Sequence, residues 1–305
     1  MRRVVLLTIL AYVVLTGALG VLLCDGALHP MRRPLTSADE AQAHEMAERH
    51  QARLQDAAIP AQDQISLHAW LLTPRHPNGN AVILLHGLSD HRMGMIGYAE
   101  WLLEHDYSVL LPDARAHGAS AGALATYGLL ERHDIRQWFG WLGKNEHLAC
   151  IYGLGESMGA AQLLQAVEAS HFCAVVAESP FSNFHEIAYD RVGQFFHTGP
   201  WLGRTVFRPA IGVAFAYARW KYGLDLRAVS PEVTAAVTKV PILLIHGQDD
   251  SNIPARHSER IAARNPQIVL WKVPHTDHCG AISTAREEFE KRVIDWLEVH
   301  KEPGA

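Results

Sequence analysis

Near-continuous apolar runs recur along this chain, separated by stretches with helical periodicity. Ala81–Leu85, Tyr107–Leu111, Cys150–Leu154, Cys173–Ala177, Pro241–Ile245 and Ile268–Val273 are short and show little apolar/polar alternation. That pattern predicts strands buried on both faces, as in a parallel sheet. Ile65–Leu72 precedes them as a further strand, closed off by the turn formers Pro74, Pro77, Asn78 and Gly79. Met93–His105, Asp134–Leu142, Met158–Glu168 and the amphipathic Ala285–Val299 fill the intervals as helices. Repeated strand and helix in turn predict an α/β fold, a mostly parallel sheet with helices on both faces.

Three stretches break the rhythm. Val4–Cys24 carries no charge over 21 residues and follows Arg2 and Arg3. As a helix rising about 1.5 Å per residue it spans a bilayer core of about 30 Å, with the amino end held in the cytoplasm by the arginines. This predicts a signal anchor over residues 1–25, a lipid bilayer as partner through residues 4–24, and an extracytoplasmic remainder. The alternative is a signal peptide cut near Ala18-Leu19-Gly20, which releases a secreted protein. Residues 26–60 read as a stalk and helix, opened by a Ser37-x-x-Glu40 capping box and helical to about Leu54. Residues 61–305 read as the main domain, and its aromatic-rich interval at about 180–233 reads as a helical cap insertion over the carboxyl edge of the sheet.

Charge and composition narrow the partners. Twenty-seven basic and 32 acidic residues leave a net charge of −5, and no Lys/Arg-rich run marks a nucleic-acid surface. The 19 histidines are scattered, without His-Glu-x-x-His or a paired Cys-x-x-Cys, so no spacing supports a metal site. No cofactor is expected.

The chemistry centres on Gly155-Glu156-Ser157-Met158-Gly159, which lies between the strand Cys150–Leu154 and the helix Met158–Glu168. A strand, a Gly-x-Ser-x-Gly turn and a helix are the parts of a nucleophile elbow. Gly155 and Gly159 let neighbouring backbone approach a serine held in a strained turn. Ser157 is the candidate nucleophile. A serine hydroxyl needs a base, and the base needs an orienting acid. The strand Pro241–Ile245 runs into His246-Gly247-Gln248-Asp249-Asp250, and the strand Ile268–Val273 runs into Pro274-His275-Thr276-Asp277-His278. Asp249 or Asp250 supplies the acid, and His275 or His278 the base.

Four motifs in order give the chain a resemblance to the α/β-hydrolase superfamily. They are Leu85-His86-Gly87, Leu111-Pro112-Asp113-Ala114-Arg115-Ala116-His117-Gly118, Gly155-Glu156-Ser157-Met158-Gly159, and His246-Gly247-Gln248-Asp249-Asp250-Ser251-Asn252-Ile253-Pro254. The resemblance covers about Ile65 to Val299 and is greatest to serine aminopeptidase-like, acylaminoacyl-peptidase-like and membrane-anchored esterase-like proteins. It implies Asp250, three residues before Ile253-Pro254, as the acid and His278 as the base. It implies the backbone N–H groups of Leu88 and Met158 as the oxyanion hole. Ala116 stands where such proteins usually carry glycine. The implied activity is hydrolysis of a carboxylic ester, thioester or amide on a small-molecule or peptide acyl substrate. Esterase and aminopeptidase-like readings stay open beside a catalytically silent, membrane-tethered binding module. Glu156, ahead of the serine, is either structural or a source of negative charge that raises the pKa of the base. Cys150 and Cys173, at the amino ends of neighbouring strands, form a disulfide or remain two buried thiols.

Overall fold

The structure, a computed structural model, describes residues 1–146, 148–168 and 170–301. The last four residues of the expected 61–305 domain lie outside the described residues. The chain divides into two compact units, Pro30–Ser182 with Pro231–Ala305, and Met1–His29 with Asn183–Ser230.

The larger unit is built on eight strands: β1 (Arg53–Pro60), β2 (Ser66–Thr73), β3 (Asn80–Leu85), β4 (Ser108–Pro112), β5 (Cys150–Glu156), β6 (Val175–Glu178), β7 (Ile242–Gly247) and β8 (Val269–Val273). Their order across the sheet is β1-β2-β4-β3-β5-β6-β7-β8. β1 with β2 and β2 with β4 pair antiparallel, and all later pairs are parallel.

The apolar runs are unbroken because each residue has a core to enter. Along β3, Val82 and Leu84 enter one layer while Ala81, Ile83 and Leu85 enter the other. β5 divides Tyr152 and Leu154 from Ile151, and β7 divides Leu243 and Ile245 from Ile242 and Leu244, in the same two-residue period. Each such Leu or Ile contributes about 1.5–3 kcal/mol on burial. The helices Ile96–Glu104 and Arg286–Val299 cover the first layer; Glu131–Asn145 and Ser157–Ala166 cover the second.

Two local expectations are corrected. The helix expected to run to about Leu54 ends at Arg49, and Arg53–Pro60 forms β1, which puts part of the stretch read as stalk and helix into the sheet. Pairing with β2 through Ala57↔Ala69 and Ile59↔Leu67, and burial of Ala57 and Ile59, override a weak helical pattern. The capping box begins one residue earlier than read. Thr36, not Ser37, accepts the Asp39 N–H, and the Asp39 carboxylate accepts the Thr36 N–H at 2.8 Å.

Cys150 opens β5, Cys173 lies just before β6, and the two are joined by a disulfide with Cα atoms 5.8 Å apart. Closing a loop between residues 23 apart contributes ~3 kcal/mol by restricting the unfolded chain.

The smaller unit holds the long apolar helix Arg2–Leu28 and the helices Phe184–Phe195, Trp201–Arg204 and Arg208–Tyr222. The first packs on the last at Gly20, where a Cβ would stand 2.5 Å from the Ala210 carbonyl oxygen. Tyr222 donates to Asp25 at 2.6 Å near the far end of the same contact. Residues 4–15 of the long helix stay exposed. Its length and composition suffice to cross a membrane.

Candidate active site

β5 delivers Ser157 to the carboxyl edge of the sheet, and the helix Ser157–Ala166 leaves at once. The reversal forces Ser157 to φ = +50°, a left-handed conformation that L-residues other than glycine seldom adopt. Backbone crowds both flanks of this turn. A Cβ on Gly159 would stand 2.3 Å from the Leu85 carbonyl oxygen, and one on Gly155 2.7 Å from the Gly159 carbonyl carbon. The two glycines are therefore a steric requirement of the elbow.

β7 delivers Asp250 and β8 delivers His278, both on loops just past the strand ends. His278 Nδ1 lies 2.8 Å from Asp250 Oδ2, and His278 Nε2 lies 2.9 Å from Ser157 Oγ. An ionised carboxylate only accepts, so Nδ1 carries the proton and Nε2 is left to accept from the serine hydroxyl. Asp250 is fixed by three further donors. Its Oδ1 accepts the N–H groups of Asn252 (2.9 Å) and Ile253 (2.7 Å), and its Oδ2 stands 3.2 Å from His246 Nε2. Ser258 Oγ, 2.6 Å from His246 Nδ1, completes that network at one remove. Burial of Asp250 opposes its ionisation, but the hydrogen bonds from His246 and His278 outweigh it and hold the carboxyl well below the usual carboxylate range.

The competing candidates lie elsewhere. The side chain of His275 is 96% exposed, and its Nδ1 faces the exposed Asp249 carboxylate at 3.9 Å. The His278 ring reaches Ser157; His275 does not share that contact. Gly87 leads to Leu88 beside the elbow, and a Cβ on Gly87 would stand 3.7 Å from Ser157 Cβ. Met158 occupies the second position of the helix that follows the serine, where a backbone N–H has no partner one turn back. His86 supports this loop. Its Nε2 accepts the Ala114 N–H at 3.0 Å and its Nδ1 donates to the Gly87 carbonyl at 2.8 Å, while burial lowers its pKa to about 4 and keeps the ring neutral.

Ala116 explains the glycine usual at its position, because it takes φ = +62°. Its carbonyl and those of Ser120 and Gly122 accept from Arg32, which holds the loop in place. Among the described residues, no group of three or more His, Cys, Asp or Glu side chains is placed to hold a metal ion.

Residues 82–292 match the alpha/beta hydrolase family. The chain belongs to that family. As an α/β hydrolase it is 27% identical over 248 residues to the uncharacterized protein YqkD of Bacillus subtilis, covering 79% of this chain and 78% of YqkD. It is 28% identical over 235 residues to the uncharacterized protein Rv2307c of Mycobacterium tuberculosis, covering 73% and 72% of the two chains. Among solved structures, esterase Pf2001 of Pyrococcus furiosus aligns at 25% identity and a TM-score of 0.68, over 90% of this hydrolase and 100% of the esterase chain. The acylaminoacyl peptidase of Pyrococcus horikoshii shares the fold, with 17% identity and a TM-score of 0.62 over 81% of this chain and 42% of its own.

Two polar residues beside the site escaped the sequence. Asp277 accepts from the Ser251 N–H (2.8 Å), the Ser251 hydroxyl (3.0 Å) and the His278 N–H (2.8 Å), stitching the acid loop to the base loop. The hydroxyl of Tyr98, buried on the helix Ile96–Glu104, lies within hydrogen-bond distance of both Glu156 and Glu178. No spacing singles out either residue, since each acts through contacts made only after the sheet has formed.

Proposed function

We propose that this α/β hydrolase is a serine hydrolase that cleaves a carboxylic ester, thioester or amide through an acyl-enzyme. The observation that carries the reading is the unbroken line from Ser157 Oγ through His278 to Asp250, ending on a serine held at φ = +50°. Ser157 Oγ attacks the acyl carbon as His278 Nε2 takes the hydroxyl proton, and Asp250 stabilises the resulting imidazolium. Charge developing on the carbonyl oxygen is met by the N–H groups of Leu88 and Met158, each such donor contributing about 100- to 1000-fold in rate. His278 returns the proton to the leaving group. A water, activated by the same imidazole, then hydrolyses the ester on Ser157 and restores the free hydroxyl.

An ester is the substrate class we favour over a peptide. Esterase Pf2001 is similar across its whole chain, whereas the acylaminoacyl peptidase is matched over less than half of its own. We further propose that Val4–Cys24 anchors the protein in a lipid bilayer with the hydrolase unit outside the cytoplasm, and the Cys150–Cys173 disulfide supports an oxidising location. Cleavage near Ala18-Leu19-Gly20 is the alternative outcome for this helix and yields a secreted enzyme.

Rapid mixing with p-nitrophenyl esters of graded chain length tests the reaction. The expected result is a burst of nitrophenol close to one equivalent per protein before steady turnover. Turnover of aminoacyl amides with none of the esters would move the reading to a peptidase.

A further inference from the structure

Beneath the serine lies a polar cluster that the acyl-transfer steps do not use. Glu156 ends β5 directly ahead of Ser157, and Glu178 ends β6 at the neighbouring position in register. The hydroxyl of Tyr98 stands between them, 2.6 Å from Glu156 Oε1 and 2.9 Å from Glu178 Oε2. Two oxygen-to-oxygen contacts of that length need two protons, and a tyrosine hydroxyl brings one. The second must sit on a carboxyl group.

The surroundings decide which. Burial raises the pKa of Glu178 as well, but its Oε1 accepts the Ala281 N–H at 3.0 Å, and that bond, with His278 and His246 nearby, works the other way and favours its anion. Glu156 faces Glu178, Tyr98 and Asp90; Cys279, from the loop after β8, faces both carboxyls with its thiol pushed well up by burial. Burial and the charge of Glu178 raise Glu156 to about 8. The proton therefore belongs to Glu156, which donates to Tyr98, which in turn donates to Glu178.

We propose that Glu156, Tyr98 and Glu178 form a proton-dependent positioning link, which ties the strand end bearing Ser157 to the loop bearing His278 and comes apart when its shared proton is lost. The far end of the link is the Ala281 N–H, with Ser179 Oγ accepting the Cys279 N–H at 3.4 Å beside it, so the loop 279–281 is held by the end of β6. In the linked state the buried Glu178 anion also stabilises the imidazolium that forms at His278. Once Glu156 ionises, two carboxylates compete for one tyrosine proton, and the serine and imidazole are no longer held in register. These are positioning residues, and the link rests on the acyl-enzyme reading for its effect on rate but not for its existence.

The test follows the rate of Ser157 modification by a fluorophosphonate against pH. Wild type is expected to lose reactivity above about pH 8. In Glu156→Gln the amide N–H replaces the carboxyl proton at every pH, so the alkaline loss disappears and this variant outpaces wild type by about tenfold or more near pH 9.5. Tyr98→Phe breaks the link throughout and lowers the rate about 10- to 100-fold even at pH 7. An alkaline limb unchanged in Glu156→Gln overturns the proposal. A second readout needs no catalysis: infrared spectra of Ser157→Ala protein should show a protonated carboxyl band at pH 7 that is missing from Ser157→Ala/Glu156→Gln. A missing difference band overturns the shared proton, whereas a band present in protein whose wild type is never labelled upholds the proton and sinks the acyl-enzyme reading alone.

Discussion

Ser157→Ala is expected to lower ester hydrolysis by about 10⁶-fold in kcat, with KM little changed and the fold intact. The size follows from the role. Without Oγ there is no atom 2.9 Å from His278 Nε2 to accept the acyl group, and what remains is the slower attack of water assisted by the donors of Leu88 and Met158. The fold should tolerate the change because alanine meets the left-handed conformation at φ = +50° at a cost close to that of serine, and only one hydroxyl is lost. Steady-state hydrolysis of a p-nitrophenyl ester, read beside thermal unfolding, checks both halves. A fall of less than about tenfold in well-folded protein would leave Ser157 outside the chemistry.

Asp250→Asn should cost about 10⁴-fold in kcat. In the native chain, Oδ2 receives the proton of His278 Nδ1 at 2.8 Å, which leaves Nε2 free to accept from Ser157. An asparagine that turns its amide nitrogen toward the ring makes Nδ1 the acceptor. The ring proton then moves to Nε2 and faces the serine, so the base is lost although every atom stays close to its place. Replacement by asparagine also removes the negative charge that the imidazolium needs. Because the Asp250 carboxyl is held below its ordinary value of 3.8, its ionised, ring-orienting form is complete above that value and fails only as the pH falls through its lowered folded value. An acid limb of activity at neutral pH therefore cannot come from Asp250. The kcat of Asp250→Asn against pH, with far-ultraviolet circular dichroism as a control on folding, measures the effect; a loss of only a few-fold would mean that another group orients His278.

Ser157, Asp250 and His278 lie at the ends of strands, and a strand that is apolar at every position is visible as an unbroken run, so the residues just beyond it are visible too. The β3, β5 and β7 runs were of this kind because alternate residues enter two separate core layers. β1 was not: only Ala57 and Ile59 along it are buried, and its pairing with β2 supplies what its own sequence lacks. The choice of His278 over His275, and of Asp250 over Asp249, needed the resemblance to a family, since loop residues three apart or adjacent have no periodicity to separate them. In the structure His275 is exposed and faces Asp249 rather than Ser157.

Tyr98 and Asp277 were illegible for a different reason. Tyr98 reads as one more apolar position on an amphipathic helix, and only the register of β5 with β6 brings Glu156 and Glu178 to its hydroxyl. Of the two roles open to Glu156 in the sequence, the proton count across these contacts favours a neutral structural tie, with the negative charge residing on Glu178. Ala116 is the reverse case. Its departure from glycine was visible, but the reason for the preference became clear only with its φ of +62°.

The acyl-enzyme account rests on one atom, and one measurement addresses it directly. Protein treated with a fluorophosphonate at neutral pH and digested should carry the phosphonyl group on the peptide containing Gly155-Glu156-Ser157-Met158-Gly159, at Ser157, with no label in Ser157→Ala. Folded wild-type protein that takes no label, or takes it at a residue other than Ser157, would contradict the account.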